Sequence, residues 1–154
     1  PGSQTTVAEH MTEKLITMAP TTTIKEAAKL LNEKCITGAP VVDEDDRLMG
    51  VISRSDFLRA ISEGPQQSEG GAEAAMQLLD VEMREVRSVM ARDPLSISPE
   101  ATVLDAAQIM YANRVSRLMV VDDKGKLTGI ITSTDVVRIA LCDELSELDY
   151  SNVD

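Results

Sequence analysis

The chain has 154 residues, 43% of them hydrophobic, a formal net charge of -11, 2% aromatic residues and no tryptophan. That length allows one domain or two small ones and buries roughly two thirds of the unfolded chain's surface, so ordinary packing suffices for stability. The acidic balance and scarce aromatics supply neither a phosphate-neutralising face nor a base-stacking platform, which argues against a nucleic-acid polymer but not against a small nucleotide held by a few local donors.

"PGS" at the start reads as a cloning remnant, with residues 1–6 flexible. No apolar run approaches bilayer length and no leader precedes Val7, so the expectation is a soluble chain, cytoplasmic or organellar (plastid or mitochondrial) after loss of a transit segment. Residues 7–62 open with V-x-x-x-M, ending at Met11. "PTTTIKEAAKLLNEK" predicts a helix with Thr23 as N-cap, Glu26 three residues on, and Ile24, Ala27, Ala28 and Leu31 on one face. "APVVD" and "RLMGVI", separated by "EDD", predict a hairpin, and "SDFLRAIS" a closing helix. Residues 63–85 form a linker: a mobile loop over 63–71, then a helix over 73–84 whose Ala75, Met76, Leu79 and Met83 pack on the body. Residues 86–142 repeat the pattern, from Met90 through a helix capped by Thr102 and Asp105, with Val103, Ala106, Ala107 and Met110 inward, to a hairpin and the helix "STDVVRIALCDEL". The acidic tail 143–154 reads as a frayed end.

The copies align without a gap. Met11 and Met90, Pro20 and Pro99, Asp43 and Asp122, Gly50 and Gly129, and Asp56 and Asp135 are each 79 positions apart, and Val7–Ile61 shares 14 identities in 55 positions with Val86–Ala140. Unrelated segments would share about 3 or 4. The chain is a tandem duplication, with a mixed α/β (α+β) fold expected: two pseudo-twofold-related repeats, each strand-helix-strand-strand-helix, with their sheets packed together and two related clefts.

Chemistry-bearing residues are few. Cys35 and Cys142 are single and distant, which supports no disulfide framework or zinc site; each is expected to be a buried small apolar residue. "DEDD" at 43–46 lacks the spacing of a calcium loop and reads as an acidic turn. His10, the only histidine, is expected to be exposed, and no nucleophile has a base and an orienting partner. Neither a catalytic residue nor a metal site is expected, and the chain is not read as an enzyme.

"GVISRSD" and "GIITSTD" pose the central question. Thr132-x-x-Asp135 is the pattern of a capping box, which satisfies free N–H groups at a helix start. It also suits a nucleotide: a helix N-terminus favours a phosphate, and a carboxylate accepts from ribose hydroxyls. Gly129 either permits a ligand's close approach or answers a packing need.

The residues Val7 to Leu141, with V-x-x-x-M, the proline before the first helix, the valine pair before Asp43 and Asp122, and the G-h-h-(S/T)-x-x-D close, resemble two cystathionine-beta-synthase (CBS) domains in tandem, the Bateman module. The resemblance implies a homodimer whose clefts bind an adenosyl ligand, AMP first and ADP, ATP or S-adenosylmethionine otherwise, to regulate a partner. Stand-alone plant and algal pairs are similar, which points to a thioredoxin system. It places ribose and phosphate at Thr132, Ser133, Thr134 and Asp135 in the second copy and at Ser53 and Asp56 in the first. Arg54 either meets a phosphate or faces solvent. Arg117, with Arg114 nearby, stands where related proteins reach the phosphates, whereas the first copy has Thr37 and Gly38 where the second has Ser116 and Arg117, so unequal clefts are expected. The base slot implied is Leu15, Ile16, Thr17, Ala39 and Pro40, with Leu95, Ser96, Ile97 and, in place of the usual proline, Met119; core packing explains Leu95 and Ile97 equally well. The alternatives are a constitutive homodimerisation scaffold with vestigial clefts, or a regulatory fragment of a larger channel, kinase or dehydrogenase.

Overall fold

A computed structural model describes residues 5–63 and 71–143; the expected mobile loop, apart from its two end residues, and the tail after 143 lie outside the described residues. These residues divide into two compact units, one within 16–94 and one made of 5–15 with 95–143.

The first unit runs α1 (Ile24–Glu33), β1 (Gly38–Val42), β2 (Leu48–Ser53), α2 (Arg54–Ser62), α3 (Gly71–Met83) and β3 (Ala91–Arg92), with sheet order β1-β2-β3 and antiparallel neighbours. The second runs β4 (Ser96–Ile97), α4 (Val103–Asn113), β5 (Arg117–Val121), β6 (Leu127–Thr132) and α5 (Ser133–Val137), which continues as a π-helical stretch over Arg138–Asp143. Its sheet order is β4-β5-β6, β4 being parallel to β5 and β6 antiparallel. The opening strand expected in each copy is short: two residues in β4, and in the first copy a single parallel bridge, Met18 to Val41.

Local chemistry starts and stops the helices as the spacing predicts. Thr23 accepts from the Glu26 N–H at 3.1 Å, and Thr102 and Asp105 exchange bonds of 3.1 and 3.0 Å. Each removes an orphan donor from a first helical turn. α1 and α4 end in the left-handed backbone of Cys35 (φ 54°) and Arg114 (φ 53°), a helix-closing position usually given to glycine. That turn directs the side chain out, so Cys35 is exposed rather than buried. Cys142 is exposed as well, on the outer side of the last helical turn, where Ile139 is the residue turned inward. Each hairpin is closed by an aspartate: Asp43 Oδ1 accepts from the N–H groups of Asp45 and Arg47 (2.8 and 2.9 Å), and Asp122 Oδ1 from those of Lys124 and Lys126 (both 2.9 Å). The Lys126 N–H foremost holds the Asp122 carboxyl below its usual range, against the opposing effect of burial.

Alternation along the strands sorts core from site. In the first unit Ala39, Val41 and Ile52 face Ile24, Ala27 and Leu31 of α1; in the second Leu118, Val120, Ile131 and Ile97 face Val103, Ala106 and Met110 of α4. Ala28, expected inward, is exposed, and Leu30 packs against that core instead.

The two V-x-x-x-M segments are exchanged. Thr5–Thr12 docks on the second repeat: Val7 N–H donates to Ala101 O (2.8 Å), Val103 N–H to Thr5 O (2.8 Å), and Thr12 pairs with Ile130. Val86–Arg92 docks on the first: Val86 N–H donates to Thr22 O (2.8 Å), Ile24 N–H to Arg84 O (2.8 Å), and β3 completes the sheet. Val7 and Val86 are thus core residues of the opposite repeat, and His10 is half-buried rather than exposed. Each methionine lies on a glycine. A Cβ at Gly129 would sit 2.6 Å from Met11 Sδ and 3.0 Å from Thr12 O; one at Gly50 would sit 2.5 Å from Ala91 O and 2.8 Å from Met90 Sδ. Gly129 therefore answers a packing need.

α3 lies against α1 and α2. It docks through Val81, while Ala75, Met76, Leu79 and Met83, expected on the body, are all exposed. The helix repeats its apolar residues on two faces, and the one bearing Val81 is turned in.

Gly50→Ala meets a backbone oxygen that cannot swing away and should cost about 1–3 kcal/mol, whereas Gly129→Ala meets mainly a flexible methionine and should cost less. Adding Met11→Ala should recover part of the Gly129→Ala loss but none of the Gly50→Ala loss. Urea unfolding of the four variants checks this ranking; equal costs would contradict it.

Candidate functional site

β6 ends at Thr132, where the extended backbone turns into α5 and leaves the Thr132 and Asp135 side chains at the junction. Asp135 Oδ2 accepts from the Thr132 N–H (3.0 Å) and hydroxyl (2.9 Å), and Thr132 Oγ1 accepts from the Asp135 N–H (3.2 Å). Asp135 Oδ1 accepts from Arg138 at 3.2 Å. The capping box expected from the sequence is therefore formed. Burial alone would push the Asp135 carboxyl up, but the bonds from Thr132 and from the Arg138 guanidinium outweigh it and hold the carboxyl below its ordinary 3.8.

β5 brings the second element of the cradle. Arg117 is the cross-strand partner of Thr132, and Met119 that of Ile130, so these four side chains share one face of the sheet. Ser96 of β4 pairs with Met119 and joins them. Met119 is buried, whereas Arg117 and Ser96 are exposed. Ser133 is anchored through its N–H to Ser116 O at 2.7 Å, and Thr134 is exposed. The exposed Arg117 thus stands across the ladder from Thr132, whose hydroxyl is bonded to the Asp135 carboxylate.

The first unit repeats the junction with different chemistry. Asp56 Oδ2 accepts from the Ser53 N–H (2.9 Å) and hydroxyl (3.1 Å), and Ser53 Oγ also meets Ser55 Oγ at 2.9 Å. Gly38 is the cross-strand partner of Ser53 and contributes no charge. Arg54 is exposed, with its N–H bonded to Thr37 O at 3.1 Å. Arg59 holds Asp56 Oδ1 at 3.1 Å and also donates to Val89 O at 2.6 Å, which ties the carboxylate to the exchanged segment. The Asp56 side chain keeps 7% of its surface exposed and that of Asp135 19%, so the second junction is the more accessible.

The expected base slot is brought together only in part. Pro40 is buried on the same sheet face as Gly38 and Ser53. Ala39 and Ile97 point the other way, into the two cores, because strand alternation puts them beside Val41 and Val120; their side chains do not line that face. Leu95 is exposed and its carbonyl accepts from the Met119 N–H at 3.2 Å. Leu15 and Ile16, both half-buried, fall in different units. Thr17 lines a concavity of about 560 Å³ with Asp43, Glu44 and Asp45, whose acidity does not suit a phosphate. A second concavity, about 760 Å³ with Tyr111, Val115 and Val136 in its lining, includes Ser133 and Arg114 but not Asp135. Arg59 and Arg138 were not singled out from the sequence, although each follows its aspartate by three residues, a helical pairing distance.

Comparison with known proteins bears on the family and the fold. The family model for the CBS domain matches residues 7–63 and 86–141. The chain is 40% identical over 151 residues to the chloroplastic CBS domain-containing protein CBSX1 of Arabidopsis thaliana, covering 88% of this chain and 64% of that protein. It is 41% identical over 123 residues to the uncharacterized protein MJ1232 of Methanocaldococcus jannaschii, covering 80% of this chain and 35% of that one. The chain thus spans roughly one to two thirds of these relatives' length. The crystal structure of CBSX2 in complex with AMP superposes with a TM-score of 0.73 at 33% identity, covering 91% of this chain and 98% of that one. The CBS domain pair of MJ0100 in complex with 5'-methylthioadenosine and S-adenosyl-L-methionine gives a TM-score of 0.68 at 26% identity, covering 90% and 98%.

Because the folded-state pKa of Asp135 is lowered, its ionised form contributes stability above the unfolded value, and the contribution is lost as pH falls through the folded one. The advantage of the wild type over Asp135→Asn in urea midpoint should be constant near neutrality and shrink below about pH 4. An advantage unchanged from neutral to acid pH would contradict the assignment.

Proposed function

The chain belongs to the CBS domain family, and on that premise we propose that it is a non-catalytic regulatory module that binds an adenosyl ligand, AMP foremost, with the second repeat as the stronger site. The observation that carries this reading is the pairing of Arg117 with Thr132 directly across the β5–β6 ladder, beside Asp135, where the first repeat has Gly38 across from Ser53. Asp135 accepts from the ribose hydroxyls, exchanging its bond to the Thr132 hydroxyl, and the freed hydroxyl and Arg117 meet the phosphate. The base lies on the Met119 face and is read by backbone groups of 95–97. At Ser53 and Asp56 the same exchange must displace a carboxylate more deeply buried and tied through Arg59 to Val89, with no guanidinium across the ladder from Ser53, so that Arg54 on the helix is the cation left to meet a phosphate.

CBSX2 with AMP and the MJ0100 pair with adenosyl ligands support the ligand class, and the chloroplastic CBSX1 supports residence in a plastid. Occupancy shifts a conformational or homodimer equilibrium that a partner senses, with a thioredoxin system as our candidate; the ligand acts through differential affinity for the two states. One observation favours a rival: both oxygens of Asp56 and of Asp135 are already bonded within the chain, as a scaffold with vestigial cradles requires.

Isothermal titration with AMP, ATP and S-adenosylmethionine separates the two. Saturable binding weakened tenfold or more by Asp135→Ala and less by Asp56→Ala supports the proposal, as expected for lost charge-assisted bonds worth about 1.5–3 kcal/mol. Equal losses refute the asymmetry, and no heat with any ligand leaves the scaffold.

A further inference from the structure

The outward face of α3 carries a row of large apolar side chains. At about 100° per residue, Ala75, Met76, Leu79 and Met83 fall in one arc opposite Val81, the residue that anchors the helix. Met76 is 72% exposed, Leu79 54% and Met83 60%, an i, i+3, i+7 row of large apolar groups in water. Together they present roughly 350 Å² of apolar surface, within the range of a functional patch on an ordinary monomer. Carboxylates border the row on both edges, Asp80 beyond Met76 and Glu82 beyond Ala75, and the exposed Arg84 follows at the end of the helix.

We propose that this stripe of α3 is a docking surface for an amphipathic helix of a partner protein whose apolar row is flanked by lysine or arginine. An apolar seam edged by acids is matched by one edged by bases, the charge arrangement that selects partners between paired helices. A second copy of the chain is disfavoured, because it would set Asp80 and Glu82 against acids of its own kind within a chain of net charge -11. Methionine suits the role, since its unbranched thioether adapts to different partner surfaces. The area is about half of one side of a standard interface, so the contact is weak and exchangeable. It requires no nucleotide and includes no residue of either cradle.

The test uses the full chain and two labelled helical peptides of about 14 residues, one leucine–lysine and one leucine–glutamate, followed by fluorescence anisotropy. The lysine peptide should bind the wild type, more weakly at high salt, and the glutamate peptide should not. Leu79→Ser with Met83→Ser should weaken the lysine peptide at least tenfold at an unchanged melting temperature. Asp80→Lys, an exposed change that keeps the apolar row, should weaken it severalfold and raise the glutamate peptide's affinity. Equal binding by wild type and both variants overturns the proposal. So does sedimentation showing a wild-type dimer that dissociates in the serine variant, which would make a second copy the occupant.

Discussion

The contact on which the rest of the structure depends is a methionine laid across a glycine, made twice. Met11 lies on Gly129 and Met90 on Gly50, and in both places a Cβ would stand inside 3 Å of the methionine sulfur. These seats let the segment before each repeat add its backbone to the other repeat's sheet, through Thr12 with Ile130 and through β3 with β2. The strands so pinned, β2 and β6, are the ones that end in Ser53 and Thr132. Packing three residues upstream of each junction thereby fixes where the hydroxyl and carboxylate stand. It also explains why the compact units break at 15/16 and 94/95 rather than at the linker.

At each junction the bonds that cap the helix are made by the groups proposed to hold a ribose. On the proposed reading, capping and binding are two uses of one arrangement, which the cap would hold in place before a ligand arrives. Ligand binding then exchanges hydrogen bonds rather than creating them, so its net gain depends on what else the site offers. Arg117 makes the second junction richer, while the bond from Arg59 to Val89 makes the first more rigid.

Much of this was legible in the sequence. The 79-residue spacing gave the duplication, the helical period placed Ile24, Ala27 and Leu31 inward, and Thr-x-x-Asp announced its cap. The misreadings share a cause: local pattern does not say which of two equivalent directions tertiary packing selects. α3 carries apolar residues on two faces, and among its described side chains Val81 is the buried one. Cys35 looked like a small core residue until the left-handed turn at the end of α1 directed it outward. Ala39, placed in the base slot by the resemblance, faces the core by alternation from Val41, and of the two readings open for Ile97 the structure shows the core one. The exchange of the methionine segments joins Met11 to Gly129 and Met90 to Gly50, pairs distant in sequence, and leaves no periodic trace.

An AMP titration of the isotopically labelled full chain, followed by amide NMR, tests the account most directly. The proposed exchange at the second junction predicts saturable shifts of the Thr132 to Asp135 amides, with Ser53 to Asp56 responding only at higher concentration. Amides at both junctions that stay unmoved while others shift, or a first junction that responds before the second, would contradict it.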